Sequence, residues 1–166
     1  MSILLGNASP AATTAAAAVL LELPRSVLAV LIASGARIVL EPVAVLHHRD
    51  GTLAAGIASP YPLSARIAAA REPEAVAAAI RHEVAHLLDY LQANGGRGHR
   101  CCLSATLRWQ DAWRREVEAD RIYRIDAWLD PAEHFADCFA AYFGSDRVRA
   151  TLSPAVRRFL AELFFP

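Results

Sequence analysis

The chain has 166 residues, enough for one domain with a substantial buried core. Hydrophobic residues make up 55% of it, much of that alanine, and no run supplies the roughly 18 uninterrupted apolar residues of a membrane span. Lys and Arg number 17 and so do Asp and Glu, a balance that argues against a nucleic acid or an anionic membrane as the main partner.

Residues 1–23 are alanine-rich and read as an N-terminal helix or a tail, with Ser9 as N-cap and Pro10 as first helical residue. No Lys or Arg precedes Arg25, so the basic start of a secretory signal is missing. The three cysteines cannot all pair with one another, and Cys101 and Cys102 are adjacent, which suits a reducing cytoplasm. The expected location is cytoplasmic, or exported without a cleavable signal. Residues 19–40 are the most apolar region, but Glu22, Pro24, Arg25, Gly35 and Arg37 interrupt it, so it reads as core. Pro24 opens a second helix through Val27, Leu28, Leu31 and Ile32, and Gly35 ends it.

Short strands are predicted at residues 36–40 and 43–46, on either side of Pro42. Asp50-Gly51 is a hairpin turn signal with residues 52–58 as the returning strand, which leaves His47-His48 at the exposed end of a hairpin. Ser59-Pro60-Tyr61-Pro62 separates this region from a last strand candidate at 63–70.

Pro73 then starts a helix of high propensity, whose Val76, Ile80, Val84, Leu87, Leu88 and Leu91 recur at three- and four-residue spacing. Asn94-Gly95-Gly96 stops it. Within it lies His82-Glu83-Val84-Ala85-His86, the H-E-x-x-H pattern of zinc-dependent hydrolases. Positions four apart on a helix turn about 400°, so both imidazoles project from nearly one stripe and can take one ion. Glu83 sits about 60° from His86, placed to reach a water without ligating the metal, as a general base must. Burying two histidines and a carboxylate in an apolar helix without partners would be costly.

Beyond a glycine-rich loop, helices are predicted near residues 104–128, at 131–143 and after Ser153-Pro154, the last with Val156, Phe159, Leu160, Leu163 and Phe164 on one face. His99, Cys101 and Cys102 lack the second cysteine pair that a zinc ribbon needs. The expected fold is therefore α+β: a small mixed β-sheet, then the H-E-x-x-H helix, then a helical C-terminal half, in one domain over 1–166.

Catalytic zinc keeps three protein ligands and one open position. A metzincin needs a glycine and a third histidine just beyond the motif, but positions 89 and 92 are Asp89 and Gln92, so that branch is excluded. A carboxylate from a later helix remains. Glu133 and Asp137 are four apart and share a helix face with Ala136 and Ala140 beside them, small residues that suit close approach. Asp137 would orient a ligating histidine by accepting its other ring N–H. Asp130, Pro131 and Glu133 also spell a capping box. Glu116 and Glu118 offer a rival ligand, set among Arg114, Arg115, Arg121 and Arg124.

The segment Glu133-His134-Phe135-Ala136-Asp137-Cys138-Phe139 resembles the E-x-F-A-[DE]-x-F segment of the anthrax lethal factor catalytic-domain-like zinc metallopeptidases, the group that includes the Pro-Pro endopeptidases. The order of helix, strands and motif helix is similar too. The resemblance implies a zincin-like fold of the glutamate-ligated (gluzincin) branch, with Glu133 as third zinc ligand. It also implies a tyrosine seven residues before that ligand to stabilise the oxyanion. That position is Asp126 here, and Tyr123, ten residues before Glu133, is the candidate instead.

The expected activity is hydrolysis of a protein or peptide substrate by a zinc metalloendopeptidase, with His82, His86 and Glu133 as metal ligands and Glu83 and Tyr123 as catalytic residues. The strand at 63–70 is the expected seat for an extended substrate. The resemblance admits a toxin or effector role. Two other readings remain at this level. One is a cytosolic regulatory peptidase that uses Glu116 or Glu118 as third ligand. The other is a non-catalytic, metal-stabilised interaction domain that docks through an exposed apolar C-terminus at Leu163, Phe164, Phe165 and Pro166.

Overall fold

The computed structural model describes residues 3–95, 102–118 and 130–165, and its architecture is α+β as the sequence predicts. The chain divides into two compact units, Met1–Leu87 and Leu88–Pro166.

The first unit is built on a four-stranded sheet of β1 (Leu4–Gly6), β2 (Arg37–Glu41), β5 (Gly56–Pro60) and β6 (Leu63–Ala68), in the order β1-β2-β6-β5. The β1, β2 and β6 strands run parallel, while β5 is antiparallel to β6 and forms one edge. Side chains alternate at period two, so Ile38 and Leu40 of β2 point to the same buried face as their register partners Ala65 and Ile67 of β6. Two helices precede β2. In α1 (Pro10–Glu22), Ser9 caps the first turn by accepting the Ala12 N–H at 3.2 Å, and Ala12, Ala16, Val19 and Leu20 form its buried stripe. The next helix, α2 (Arg25–Ala33), ends where Gly35 takes φ 72°, which lets the Ala36 N–H reach back to the Leu31 carbonyl at 3.0 Å.

Three details depart from the predicted strands. The β1 strand was not predicted: three residues carry no measurable periodicity, and their partner lies more than thirty positions away. The strand predicted at 43–46 shrinks to β3 (Leu46–His47), because the chain turns after β2, where the Glu41 carbonyl accepts N–H bonds from Val43 at 2.7 Å and Ala69 at 2.8 Å. The strand predicted at 52–58 breaks at Ala55 into β4 (Leu53–Ala54), which pairs with β3, and β5, which runs on through Ser59 and Pro60. The turn at Asp50-Gly51 forms as predicted, with Gly51 at φ 87° and one Asp50 oxygen accepting from the Thr52 N–H and hydroxyl.

Helix α3 (Pro73–Gly95) starts at the predicted proline and contributes residues to both units. Val76, Ile80, Val84, Leu87 and Leu88 of its predicted apolar face are buried.

In the second unit a 3-10 turn (Leu103–Ala105) leads to α4 (Leu107–Glu118), and α5 (Pro131–Tyr142), α6 (Asp146–Arg149) and α7 (Pro154–Phe164) follow later in the chain. Its core is aromatic. Trp109 of α4 packs edge-on against Phe135 of α5 at 5.2 Å and lies 5.2 Å from Phe159 of α7, while Phe139 meets Phe164 edge-on at 5.4 Å. That packing corrects one expectation. Phe164 belongs to the core, so the predicted exposed apolar C-terminus reduces to a half-buried Leu163 and to Phe165 at 59% exposure, with Pro166 outside the described residues. Among the described residues no single helix is long and apolar enough to cross a membrane.

Asp89, one turn beyond His86 and 3% exposed, accepts the Ser104 N–H at 2.8 Å and its hydroxyl at 2.7 Å. Removing the carboxylate leaves a buried donor without its acceptor. Asp89→Ala is expected to lose about 2 kcal/mol and to lower Tm by roughly 4–8 °C in thermal denaturation, whereas a shift under 1 °C would show that water replaces the bond.

Candidate metal centre

His82 and His86 sit one turn apart on α3 because nothing interrupts the helix from Pro73 onward. Their ring centroids are 4.9 Å apart at an interplanar angle of 71°, and the two Nε2 atoms approach to 3.1 Å. Both nitrogens thus converge on one point, as the four-residue spacing predicts. His86 is 8% exposed and His82 half-buried. Buried Val84, Ala85 and Leu87 hold this part of the helix in place.

Glu83 is buried, at 5% exposure, and lies over Gly56 at the start of β5. A Cβ at position 56 would come within 2.5 Å of Glu83 Cγ and 2.6 Å of its Oε1, so only glycine leaves the carboxylate its place. Sequence reasoning missed Gly56. The available signal was an isolated glycine inside a predicted strand, which often marks a close approach.

Glu133 occupies the first turn of α5 and is exposed. The predicted cap is present in part: an Asp130 oxygen accepts the Ala132 N–H at 2.8 Å, and Pro131 follows at the first helical position. The same turn is anchored from α4, where the Trp109 indole N–H donates to the Pro131 carbonyl at 3.0 Å. His134, Phe135, Ala136, Cys138 and Phe139 are buried, which leaves Glu133 and, four residues on, the half-buried Asp137 on the other side of the helix. His134 faces inward, with Nε2 3.5 Å from the Cys138 sulfur and its ring 5.8 Å from Trp109. Of the described residues, His82, His86 and Glu133 form the group whose ligand types suit a metal ion.

Other candidates fare differently. Glu116 and Glu118 fall in the last turn of α4, and their side chains lie outside the described residues, as do Tyr123, Asp126, His99 and Cys101. His47 and His48 are exposed at the hairpin, as predicted. The expected substrate strand needs correction. Residues 63–68 form β6, which is paired on both sides by β2 and β5, so it offers no backbone groups to a further strand. The free edge next to it belongs to β5, whose first residue is the glycine beneath Glu83.

No protein-family model matches the chain, and no curated protein matches it. Among solved structures it is similar to the Pro-Pro endopeptidase PPEP-2 from Paenibacillus alvei, with a TM-score of 0.69 and 21% identity over 98% of this chain and 97% of that one. The likeness shows a shared zincin-like α+β fold.

Proposed function

We propose that the chain is a zinc-dependent metalloendopeptidase in which His82, His86 and Glu133 hold the ion. The observation that carries this reading is that His82 and His86, one turn apart on α3, bring their Nε2 atoms together at one point, and Glu133 offers the carboxylate that would complete the donor set. Two imidazoles and one carboxylate are a donor set that leaves zinc a fourth position. The 3.1 Å between the Nε2 atoms is near the separation of about 3.3 Å that tetrahedral Zn–N bonds require. A zinc ion held there supplies Lewis acidity toward a water and toward the substrate carbonyl.

The chain's own groups perform the remaining work. Glu83 takes the proton from the attacking water and returns it to the leaving amine nitrogen, and its seat above Gly56 fixes the direction of that transfer. Asp137 acts as a positioning residue by accepting the second ring N–H of a ligating histidine. Tyr123 donates to the developing oxyanion. The free edge of β5 receives the peptide as an added strand, which brings its backbone past Glu83. The fold shared with a Pro-Pro endopeptidase supports a peptide substrate and recommends Pro-Pro sequences as first probes. A toxin or effector role extends the same reading and has the family resemblance as its support.

The test is mass-spectrometric profiling of a peptide library that includes Pro-Pro sequences, with zinc-loaded wild-type protein and a Glu83→Gln control. Cleavage of a defined subset by the wild type alone is the expected result, and an uncut library would refute the proposal. Gly56→Ala gives a second check. The added methyl pushes the Glu83 carboxylate aside, and misplacement by about 1 Å costs on the order of 100-fold in rate. Its zinc content should remain at the wild-type level while kcat falls, and unchanged kcat would show that Glu83 does not act from this position.

A further inference from the structure

We infer that Trp109 is a positioning residue for Glu133: its indole N–H fixes the turn of α5 that presents this carboxylate and thereby sets the zinc affinity of the protein. This rests on the reading of Glu133 as a zinc ligand and adds the group that holds that ligand in place.

Glu133 is poorly placed to hold its own position. It lies in the first turn of α5, where a helix frays because its leading N–H groups lack partners within the helix. It is also exposed, so core packing does not fix it directly. The turn is secured at two backbone groups instead. At the surface Asp130 accepts the Ala132 N–H at 2.8 Å, and from α4 the Trp109 indole N–H reaches the Pro131 carbonyl at 3.0 Å. The second bond ties the turn to the core. Trp109 is fully buried, with its ring edge-on to Phe135 and tilted against Phe159, each at 5.2 Å. Its backbone N–H is held as well, by the Thr106 hydroxyl at 3.2 Å. A ring confined in this way cannot follow a moving carbonyl, so the Pro131 carbonyl, two residues before Glu133, is pinned to it.

Packing alone would not need the nitrogen. Phenylalanine also fills an apolar core, but it has no donor to offer a carbonyl. Trp113, one turn further along α4, supplies the contrast: its indole N–H is buried and makes no hydrogen bond among the described residues. Two tryptophans on one helix thus differ in whether the nitrogen is bonded to the turn that carries Glu133.

Exchanging the indole N–H for sulfur removes the bond and keeps the shape of the ring. Benzothienylalanine is placed at position 109 alone, or at position 113 alone, by amber suppression, and zinc affinity is read by competition with a fluorescent chelator. The exchange at 109 should weaken zinc binding about 10-fold, the lower end of the range for groups that orient a ligand, while the exchange at 113 leaves it unchanged. In a Glu133→Ala background the exchange at 109 should not alter the residual affinity, because it acts only through that carboxylate. In the metal-free protein, hydrogen exchange of the His134 and Phe135 amides should quicken with sulfur at 109 and not with sulfur at 113.

Equal zinc affinities of the wild type and the sulfur variant at 109 would overturn the inference. So would a loss that persists without Glu133, or one that appears equally at 113. Unchanged amide exchange overturns it even if the affinity falls, since the nitrogen then does not hold the turn. A wild type that binds no zinc is a separate result, which refutes the metal reading itself and takes the inference with it.

Discussion

Replacing Glu83 with Gln should lower kcat/KM by about three orders of magnitude on the best library peptide while leaving zinc stoichiometry unchanged. The substitution keeps the shape of the side chain and removes only its capacity to take a proton. The amide fits above Gly56 where the carboxylate does, so Tm should be unaltered. General base catalysis contributes about 10²–10⁴-fold, and a base that also protonates the leaving amine is used twice in each turnover. His82 and His86 lie on either side of Glu83 in sequence, and their Nε2 atoms converge at 3.1 Å without it. A variant that still cleaves would remove Glu83 from the mechanism. A variant that loses zinc would make it a ligand instead.

Glu133→Ala should abolish stoichiometric zinc binding, with an affinity loss of at least about 100-fold, beyond the 10–100-fold typical of outer-shell partners. Asp137→Ala should fall within that smaller range, because it acts on the ion only through a histidine. Glu133 is exposed and sits in the first turn of α5, so its removal costs the helix about 0.3–1 kcal/mol through the lost acid at the positive end of the dipole. Zinc loss would therefore not reflect unfolding, which circular dichroism at the assay temperature verifies. Glu116→Ala and Glu118→Ala should both retain zinc. If either loses it while Glu133→Ala keeps it, the third ligand belongs to α4 and the assignment is wrong.

Local features were legible and remote ones were not. The Ser9 and Asp130 caps and the Pro10, Pro73, Pro131 and Pro154 helix starts act within one turn, so their spacing alone announces them. The Asp50-Gly51 turn is equally local. By contrast, β1 has three residues and depends on β2 for every ladder bond. The break at Ala55 depends on which neighbour each half of the segment finds, β3 for one and β6 for the other. Phe164 looked like an exposed tail because its cover comes from Phe139 and Phe143, some twenty residues earlier.

The same division runs through the candidate site. Two imidazoles four residues apart on a helix must share a stripe, since backbone geometry alone imposes it, and the structure has their nitrogens 3.1 Å apart. The residue type of a third ligand could be argued from zinc chemistry without any coordinates. Which strand offers its edge could not, because pairing order is a property of the whole sheet, and the strand first expected to bind substrate lies inside it. Nor could the need for glycine at position 56, which arises only when Glu83, 27 residues later, is laid against it. Helical periodicity is carried by neighbouring residues and is present in the sequence itself. Strand order and close packing are set by contacts that exist only after the chain has folded.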